Sequence, residues 1–213
     1  MSKGFWAIIA VIVVIFGGIL FFKGDKANAP NGNATAKVSQ HVTGKSTTGV
    51  ALIEYGDFQC PVCGSYYPIV KAVEEKYGDQ ITFQFRNLPL LQVHKNAFAG
   101  ARAAEAAAMQ DKFWQMHDLL FENQKTWGQS DTAYTYFQQY ASQLGLNLQK
   151  FKTDYNSGTV NDIINADIAE FNKTKQELST PTFFLDGKVI HPLSVEEFSK
   201  VIDAAIAAKQ KSQ

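Results

Sequence analysis

Cysteine is scarce in this chain: only Cys60 and Cys63 occur among its 213 residues. A single pair excludes the framework of several disulfides that stabilises many small secreted domains. Because 46% of the residues are apolar, a chain of this length can stabilise its fold by an ordinary hydrophobic core. The two thiols are therefore available for chemistry and are not needed as a structural crosslink.

An excess of charge of one sign is also lacking. The chain has 20 Lys and Arg residues against 20 Asp and Glu residues, so its formal net charge is zero. There is no basic surface signal for nucleic acid and no acidic tail. We therefore expect no nucleic-acid partner.

Histidine is rare as well. The chain has four, scattered along its length at His41, His94, His117 and His191. A structural zinc ion needs four ligands, and these histidines lack the close spacing that would complete a site begun by two cysteines. Gly64 rather than histidine follows Cys63, which excludes the motif for covalent haem attachment. The sequence therefore disfavours both kinds of metal centre.

The first segment differs in composition from the rest of the chain. Every residue from 5 to 22 is apolar or glycine, which is long enough for a transmembrane helix and longer than the apolar core of a usual signal peptide. Residues 27–29 (Ala-Asn-Ala) resemble a signal cleavage site, but Pro30 would follow the cut and disfavour it. We predict an uncleaved membrane anchor at residues 1–23, with a removed signal peptide as the alternative. Residues 24–37 are predicted to be a flexible linker.

The remaining chain begins and ends with strand-like segments around a helical block. Residues 50–55 have the apolar character of a buried central strand, and residues 81–85 alternate like a second strand. From about residue 93 to residue 171 the apolar residues follow helical spacing. Helices are predicted at residues 64–77, one or two within 97–124, and at 131–144, 148–156, 160–175 and 195–209.

Strand character returns late in the chain. Residues 182–185 and 188–190 are predicted to form a hairpin around Asp186-Gly187, a pair typical of tight turns. Ser194 followed by Glu197 is typical of a capping box at the start of the last helix. We find no internal repeat.

The two cysteines lie in Cys60-Pro61-Val62-Cys63, between the first predicted strand and the first predicted helix. A helix N-terminus has unpaired backbone N–H groups and the positive end of the helix dipole, and both stabilise a thiolate. The thiolate is the reactive species in disulfide exchange. This C-x-x-C motif is therefore predicted to be a thiol–disulfide redox centre.

Three further features support this prediction. Glu54 is an acid inside an apolar strand, and because burying a carboxylate is unfavourable we predict that it takes or relays the proton of the inner thiol. Pro68 lies within the helix after the motif and is expected to kink it, unless it ends a short first helix. Thr180-Pro181 precedes the late strand, where a cis peptide bond would be a deliberate feature.

This ordered set of motifs resembles the DsbA-like branch of the thioredoxin superfamily over roughly residues 38–209. Three segments carry the resemblance: residues 54–63 (EYGDFQCPVC), 113–121 (FWQMHDLLF) and 179–184 (STPTFF). The resemblance implies an α/β thioredoxin fold with an inserted all-helical domain, here preceded by one N-terminal transmembrane helix. Residues 38–92 and 176–213 would form the thioredoxin-like domain, and residues 93–175 the inserted helical domain.

The resemblance also assigns roles to the matching positions. Cys60 would be the exposed nucleophile that forms the mixed disulfide, and Cys63 the buried resolving thiol. Pro181 would be a cis-proline whose loop borders the cysteines, with Thr180 presenting its backbone to the substrate chain. Glu54 matches the buried acid of the family.

Pro61 and Val62, the residues between the cysteines, would tune the pair. The best-known DsbA enzymes have histidine where this chain has Val62. This departure removes one donor that stabilises the thiolate. It bears on the strength of the protein as an oxidant and not on the type of reaction.

We therefore expect a protein dithiol–disulfide oxidoreductase that introduces disulfides into unfolded or reduced secreted proteins. We expect a single-pass protein of the cell membrane, with its catalytic domain on the extracytoplasmic side because disulfides persist there. The Cys60–Cys63 disulfide is the redox group, so no bound cofactor is expected. The resemblance implies reoxidation by a quinone-linked membrane protein.

Two other functions fit the same residues. The protein could act as a disulfide reductase or isomerase of the same fold, since the direction of electron flow depends on a redox potential that sequence does not supply. It could also be a chaperone-like binding module for unfolded secreted chains, with incidental cysteines. Replacement of Cys60 by Ala distinguishes the binding module from the redox enzymes, because it abolishes disulfide transfer and leaves binding intact.

Overall fold

The structure, a computed structural model, describes residues 37–211. The predicted anchor at residues 1–23 and the predicted linker up to residue 36 lie outside the described residues. Within residues 37–211, no helix combines the length and the apolar character needed to cross a membrane.

Five strands form one mixed sheet in the described part of the chain. They are β1 (His41–Thr43), β2 (Val50–Gly56), β3 (Ile81–Asn87), β4 (Thr182–Leu185) and β5 (Lys188–Ile190), in the spatial order β1-β3-β2-β4-β5. β2 is parallel to β3 and antiparallel to β4, and the two outer pairs are antiparallel. The prediction that residues 50–55 form a central strand is confirmed.

The four predicted strands all form, but β1 was missed. β1 has three residues, which is too few for an alternating pattern to be visible in the sequence. It lies at the sheet edge and pairs antiparallel with β3, His41 standing opposite Phe85. Its strand conformation therefore depends on pairing with a distant segment.

The helices lie on the sheet and in the segment between β3 and β4. They are α1 (Pro61–Tyr77), α2 (Ala97–Ala108), α3 (Phe113–Glu122), α4 (Gln124–Trp127), α5 (Ala133–Gln143), α6 (Leu148–Tyr155), α7 (Gly158–Lys173) and α8 (Val195–Lys211). Six of these helices, α2 to α7, follow β3 and precede β4. The exact boundaries of a helical domain at residues 93–175 stay a prediction.

The prediction for the first helix needs correction. The first helix begins at Pro61 rather than at residue 64, because proline is favoured at the first position of a helix. It also continues through Pro68, so the alternative that Pro68 ends a short helix is wrong. Burial of Val70 and Val73 against the sheet holds the helix together beyond the proline. The prediction of one or two helices within residues 97–124 is confirmed by α2 and α3, while the short helix α4, which begins at Gln124, was not predicted.

Both faces of the sheet are covered by helices. On one face, Leu52 and Phe83 pack with Val73 of α1 and Phe198 of α8. On the opposite face, Tyr55 and Phe184 pack against Phe171 of α7; the ring centroids of Tyr55 and Phe171 lie 5.1 Å apart. A mixed sheet between two helical layers is the thioredoxin-like α/β arrangement that the resemblance implied.

The helical segment has an apolar core of its own that continues to the cysteine motif. Trp127 and Phe137 are fully buried in it, with ring centroids 5.2 Å apart. Phe58, Cys60 and Cys63 belong to the same cluster of buried residues. The helical segment therefore packs directly against the turn that carries the cysteines.

The predicted turn and cap near the C-terminus are confirmed in the structure. Asp186 and Gly187 both have positive φ angles, 47° and 79°, as a two-residue hairpin turn requires. At the start of α8 the Glu197 N–H donates to Ser194 Oγ over 3.3 Å. Glu197 Oε2 accepts from the N–H of Leu193 over 2.8 Å, one residue earlier than in the usual capping box.

Candidate redox-active site

The cysteine motif lies where β2 ends and α1 begins. Cys60 is the N-cap residue of α1, with an extended backbone (φ −65°, ψ 120°), and Cys63 lies in the first turn of the helix. The Cys60 carbonyl oxygen accepts the helical hydrogen bond from the Gly64 N–H over 3.0 Å. Both cysteines are in the thiol form in this structure. This geometry directs the free N–H groups of the helix towards the sulfur of Cys60.

The pKa values of the two thiols are shifted in opposite directions. The pKa of Cys60 is lowered to about 5, and the main cause is a hydrogen bond from the Cys63 thiol. Hydrogen bonds from the Thr180 side chain and from the N–H groups of Val62 and Cys63 lower this pKa further, whereas burial raises it. Burial raises the pKa of Cys63 well above its usual range, and the hydrogen bond to Cys60 and the charges of Cys60 and Glu54 raise it further. At neutral pH, Cys60 is therefore the thiolate and Cys63 the thiol.

Cys60 is less accessible than the resemblance implied. Its exposed fraction is 5%, against 0% for Cys63, so the expectation of an exposed nucleophile is wrong for this structure. The backbone of Thr180 covers the sulfur on one side, with its carbonyl oxygen 3.5 Å from Cys60 Sγ. Cys60 is still the outer of the two sulfurs, and an attacking thiol has to approach beside the Thr180 loop.

The Thr180–Pro181 peptide bond is cis, and this loop borders the cysteines as the resemblance implied. The sheet explains the contact, because Thr182 of β4 stands opposite Tyr55 near the end of β2. The residues just before β4 therefore lie beside the turn that follows β2. While Cys60 is a thiol, the buried Thr180 Oγ1 has no hydrogen-bond partner among residues 37–211; its effect on the pKa of Cys60 concerns the thiolate.

Glu54 lies within β2 with Phe85 of β3 and Phe183 of β4 beside it. Its exposed fraction is 3%. Burial is the largest cause that raises the pKa of Glu54 to about 8, and the negative charges of Glu74 and Cys60 add to it. Glu54 is therefore mainly protonated at neutral pH, and it lies close enough to the cysteines for their charges to affect each other. Its role in proton transfer stays a prediction.

Pro61 and Val62 lie in the first turn of α1, outside the buried pair. Pro61 takes the first helical position. Val62 is 51% exposed, and its carbonyl oxygen accepts from Ser65 Oγ over 2.7 Å. Their tuning role stays a prediction.

Sequence reasoning missed Asp57, which organises the turn before Cys60. Its side chain is fully buried and accepts hydrogen bonds from the Gln59 N–H (2.8 Å), the Leu90 N–H (3.0 Å) and His94 Nδ1 (2.6 Å). Its own N–H points to Cys63 Sγ, 3.5 Å away. The signal in the sequence was an aspartate in the turn between strand and helix, where Asp commonly binds nearby backbone N–H groups.

Gln124 was also missed, and no local pattern in the sequence marks it. It is the first residue of α4, and its side-chain Nε2 donates to the carbonyl oxygens of Phe58 (2.9 Å) and Cys60 (2.8 Å). The contact joins residues 64 positions apart, so only the folded structure reveals it.

Residues 36–204 match the family model described as Thioredoxin. The chain belongs to the thioredoxin family. Within this family, a relative of similar length is the probable disulfide bond formation protein D of Bacillus cereus. It is 28% identical over 206 residues, which cover 92% of this chain and 91% of that protein. Among solved structures, oxidised BdbD from Bacillus subtilis is 25% identical with a TM-score of 0.68, over 79% of this chain and 93% of BdbD. In length and fold the chain is thus similar to these disulfide bond formation proteins.

A second kind of relative is much longer. The Na(+)/H(+) antiporter NhaA 3 of Salinispora tropica is 35% identical over 174 residues, which are 79% of this chain and 25% of the antiporter. The chain therefore spans about a quarter of the length of this curated relative. The similarity concerns one part of the antiporter chain.

Proposed function

We propose that this protein oxidises pairs of thiols in other proteins and is itself reduced at Cys60 and Cys63. The observation that carries the proposal is the opposite environment of the two thiols, with the pKa of Cys60 lowered to about 5 and that of the buried Cys63 raised. A thiolate with a low pKa is a good leaving group in disulfide exchange. The arrangement therefore favours rapid release of Cys60 from a mixed disulfide.

The reaction needs two exchange steps. A substrate thiolate attacks Cys60 Sγ of the Cys60–Cys63 disulfide, and Cys63 leaves as a thiolate that takes up a proton. A second substrate thiolate attacks the substrate sulfur of the mixed disulfide and expels Cys60 as a thiolate. The substrate then holds the disulfide, and this protein holds the two electrons as a dithiol. The cysteine pair is the redox group in this scheme, and no bound cofactor takes part.

The lowered pKa of Cys60 also favours this direction of electron flow over that of a reductase. Stabilising the Cys60 thiolate stabilises the reduced protein, and a more stable reduced form makes the disulfide a stronger oxidant. Val62 supplies no side-chain donor, so the stabilisation comes from the first turn of α1, the Cys63 thiol and Thr180. The proposed function is thus that of a disulfide donor.

Unfolded or reduced secreted proteins are the substrates that we propose. Two large apolar side chains near the reacting sulfur are exposed, Val62 within the motif (51%) and Leu178 two residues before Thr180 (58%). They offer contacts to apolar side chains that folded proteins bury and unfolded chains expose. The same contacts would serve a chaperone-like binding module, so the Cys60→Ala variant is needed to separate the two functions.

We propose that residues 1–23 anchor the protein in the cell membrane and that the folded part faces the extracytoplasmic side. The support is the uninterrupted apolar or glycine run at residues 5–22. A quinone-linked membrane protein would reoxidise the dithiol. If the anchor is retained, the full chain stays in the membrane fraction after an alkaline wash, and protease added to cells with a permeable wall digests residues 37–211. Release of the protein by the wash would contradict the anchor.

The redox equilibrium with glutathione tests the central proposal. The full chain in detergent is equilibrated with mixtures of reduced and oxidised glutathione, and the two redox forms are separated after acid quenching. We expect a potential well above that of the glutathione pool, which lies at roughly −220 to −260 mV by extraction. A potential near about −270 mV, typical of thioredoxin, would reverse the assignment to a reductase. In the Cys60→Ala control, disulfide transfer to a reduced substrate protein is lost; full biological activity of this variant would favour the binding module.

A further inference from the structure

A side chain from the helical segment holds the backbone that carries Cys60. Gln124 Nε2 donates two hydrogen bonds, to the carbonyl oxygens of Phe58 over 2.9 Å and of Cys60 over 2.8 Å. Because only the nitrogen of the Gln124 amide can donate to these two carbonyl oxygens, they fix which way the amide is oriented. The Cys60 carbonyl thus receives one bond from Gln124 and one from the Gly64 N–H of α1.

The absence of a side chain at Gly64 leaves the space that the Gln124 amide occupies. A Cβ atom on Gly64 would lie 2.5 Å from Gln124 Oε1 and 3.0 Å from its Cδ. Both distances are shorter than carbon atoms normally tolerate, so a side chain there would displace the end of Gln124. The Gln124 amide therefore fills the space beside Gly64 where α1 and α4 meet, and it can do so only while residue 64 has no side chain.

The residue before Cys60 is held by the same part of the helical segment. Gln59 is 3% exposed, and its Nε2 donates to the Gly128 carbonyl oxygen over 2.5 Å, while its Oε1 accepts from the Asn96 N–H over 2.5 Å. The turn that ends at Cys60 is therefore fixed from outside the sheet by residues between β3 and β4. Gln124 is the member of this set that bonds to Cys60 itself.

We propose that Gln124 is a positioning residue through which the helical segment sets the redox potential of the Cys60–Cys63 pair. By holding the carbonyls of Phe58 and Cys60, it keeps Cys60 at the N-cap with its sulfur facing the free N–H groups of the first turn. Without these bonds Cys60 can rotate away from those donors, and the thiolate form loses stability relative to the disulfide. The inference rests on the proposed function, because it requires a redox-active cysteine pair.

The test replaces Gln124 by Met, which keeps the length of the side chain and removes both donors. The full chain is compared with the Gln124→Met variant in the equilibrium with glutathione and in the pH dependence of alkylation at Cys60. We expect the equilibrium constant for reduction to fall about three- to tenfold, the size of one or two net hydrogen bonds, where tenfold equals about 30 mV. The alkylation midpoint should move to higher pH. Gln139→Met, at an exposed position of α5, is the matched control and should change neither quantity.

Gly64→Ala provides an independent variant, since a methyl group there displaces the Gln124 amide. We expect it to reproduce the shift in the wild-type background and to add little in the Gln124→Met background, because the two changes remove the same contact. If Gln124→Met does not fold, the same two measurements on Gly64→Ala test the inference. Two results would overturn this inference and leave the proposed function intact, provided that the wild type exchanges with glutathione. One is a folded Gln124→Met variant that is unchanged in both measurements. The other is full additivity of the effects of Gly64→Ala and Gln124→Met. A wild type that does not exchange overturns the proposed function and this inference with it.

Discussion

Cys60 and Thr180 are 120 positions apart in the chain and meet at the site, with the Thr180 carbonyl oxygen 3.5 Å from Cys60 Sγ. Their meeting depends on the sheet, since β4 pairs antiparallel with β2 and Thr182 stands opposite Tyr55. Thr180 brings a hydroxyl as well as a carbonyl to the sulfur. That hydroxyl is buried and has no partner among residues 37–211 while Cys60 is a thiol, so it can donate when the thiolate forms.

The first prediction concerns this hydroxyl. Thr180→Val keeps the shape of the side chain and removes its donor, which helps to lower the pKa of Cys60. We expect the pKa of Cys60 to rise and the equilibrium constant with glutathione to fall about three- to tenfold. The pH dependence of Cys60 alkylation measures the first effect. An unchanged midpoint would show that the hydroxyl does not donate to the thiolate.

Local patterns predicted the parts of this fold that local sequence determines. The apolar run of β2 and the Asp186-Gly187 turn each act within a few residues, and both were predicted from the sequence. The edge strand β1 was missed because its three residues form a strand only by pairing with β3. The helix α4 was not predicted because its four residues make a single turn, too short for helical spacing to be visible.

At the site, too, some residues were predicted from the sequence and others became visible only in the folded structure. The resemblance placed Cys60, Cys63 and Glu54 by their position in a motif, and the structure brings them together. Gln124 bonds to Cys60 across 64 positions, and nothing in its own neighbourhood in the sequence indicates that contact. The low exposure of Cys60 likewise involves the distant Thr180 loop.

The second prediction is a contribution of Cys60 to the pH dependence of stability, which is present only in the reduced protein. The pKa of Cys60 is about 5 in the folded protein, below its ordinary value of 9.0, so the folded state favours the thiolate. The unfolded chain binds more protons between these two values, and the free energy of unfolding therefore rises with pH in this window. The stabilisation is complete above about pH 9 and is lost as the pH falls through about 5.

The oxidised protein is the control for this prediction, because it has no thiol to titrate. The raised pKa of Glu54 lowers the stability of both redox forms as the pH rises, so most of this effect is removed when the two forms are compared. Urea unfolding of both forms at about pH 4.5, 6 and 7.5 measures that difference. We expect the stability of the reduced form relative to the oxidised form to increase along this series. A constant difference would contradict the lowered pKa of Cys60.

The third prediction concerns Glu54 as the proton acceptor of Cys63. With its pKa raised to about 8, Glu54 can accept a proton only in the ionised fraction that grows as the pH approaches and passes 8. Glu54→Gln keeps the size of the side chain and removes this acceptor, so release of a mixed disulfide by attack of Cys63 on Cys60 Sγ, the reverse of the first exchange step, should slow about tenfold or more. The measurement is the rate of release between about pH 5 and 9. Equal rates in wild type and variant across this range would indicate a purely structural carboxyl.

The fourth prediction concerns Glu74, an acid on α1 whose charge affects the pKa of Glu54 in β2. Its side chain is 17% exposed and lines a cavity of about 40 Å³ together with Leu52 and Phe83, on the sheet face that also carries Glu54. Burial is the largest cause that raises the pKa of Glu74 to about 7, while Lys71, whose Nζ lies 3.6 Å from Glu74 Oε2, lowers it. The negative charge of Glu74 in turn raises the pKa of Glu54.

Glu74→Gln removes that charge, so the ionised form of Glu54 becomes more stable and the pKa of Glu54 falls. We expect the inflection in the release rate of the mixed disulfide to move to lower pH by roughly half a unit, so that release at neutral pH becomes faster. Glu75→Gln is the matched control, because Glu75 is the exposed neighbour on the same helix and its charge raises the pKa of Glu74 without being among the causes that raise the pKa of Glu54. This variant should not move the inflection to lower pH. The combination Glu54→Gln with Glu74→Gln should behave as Glu54→Gln alone, since Glu74 acts through Glu54. A shift that persists in the absence of Glu54 would mean that Glu74 acts on the cysteines directly.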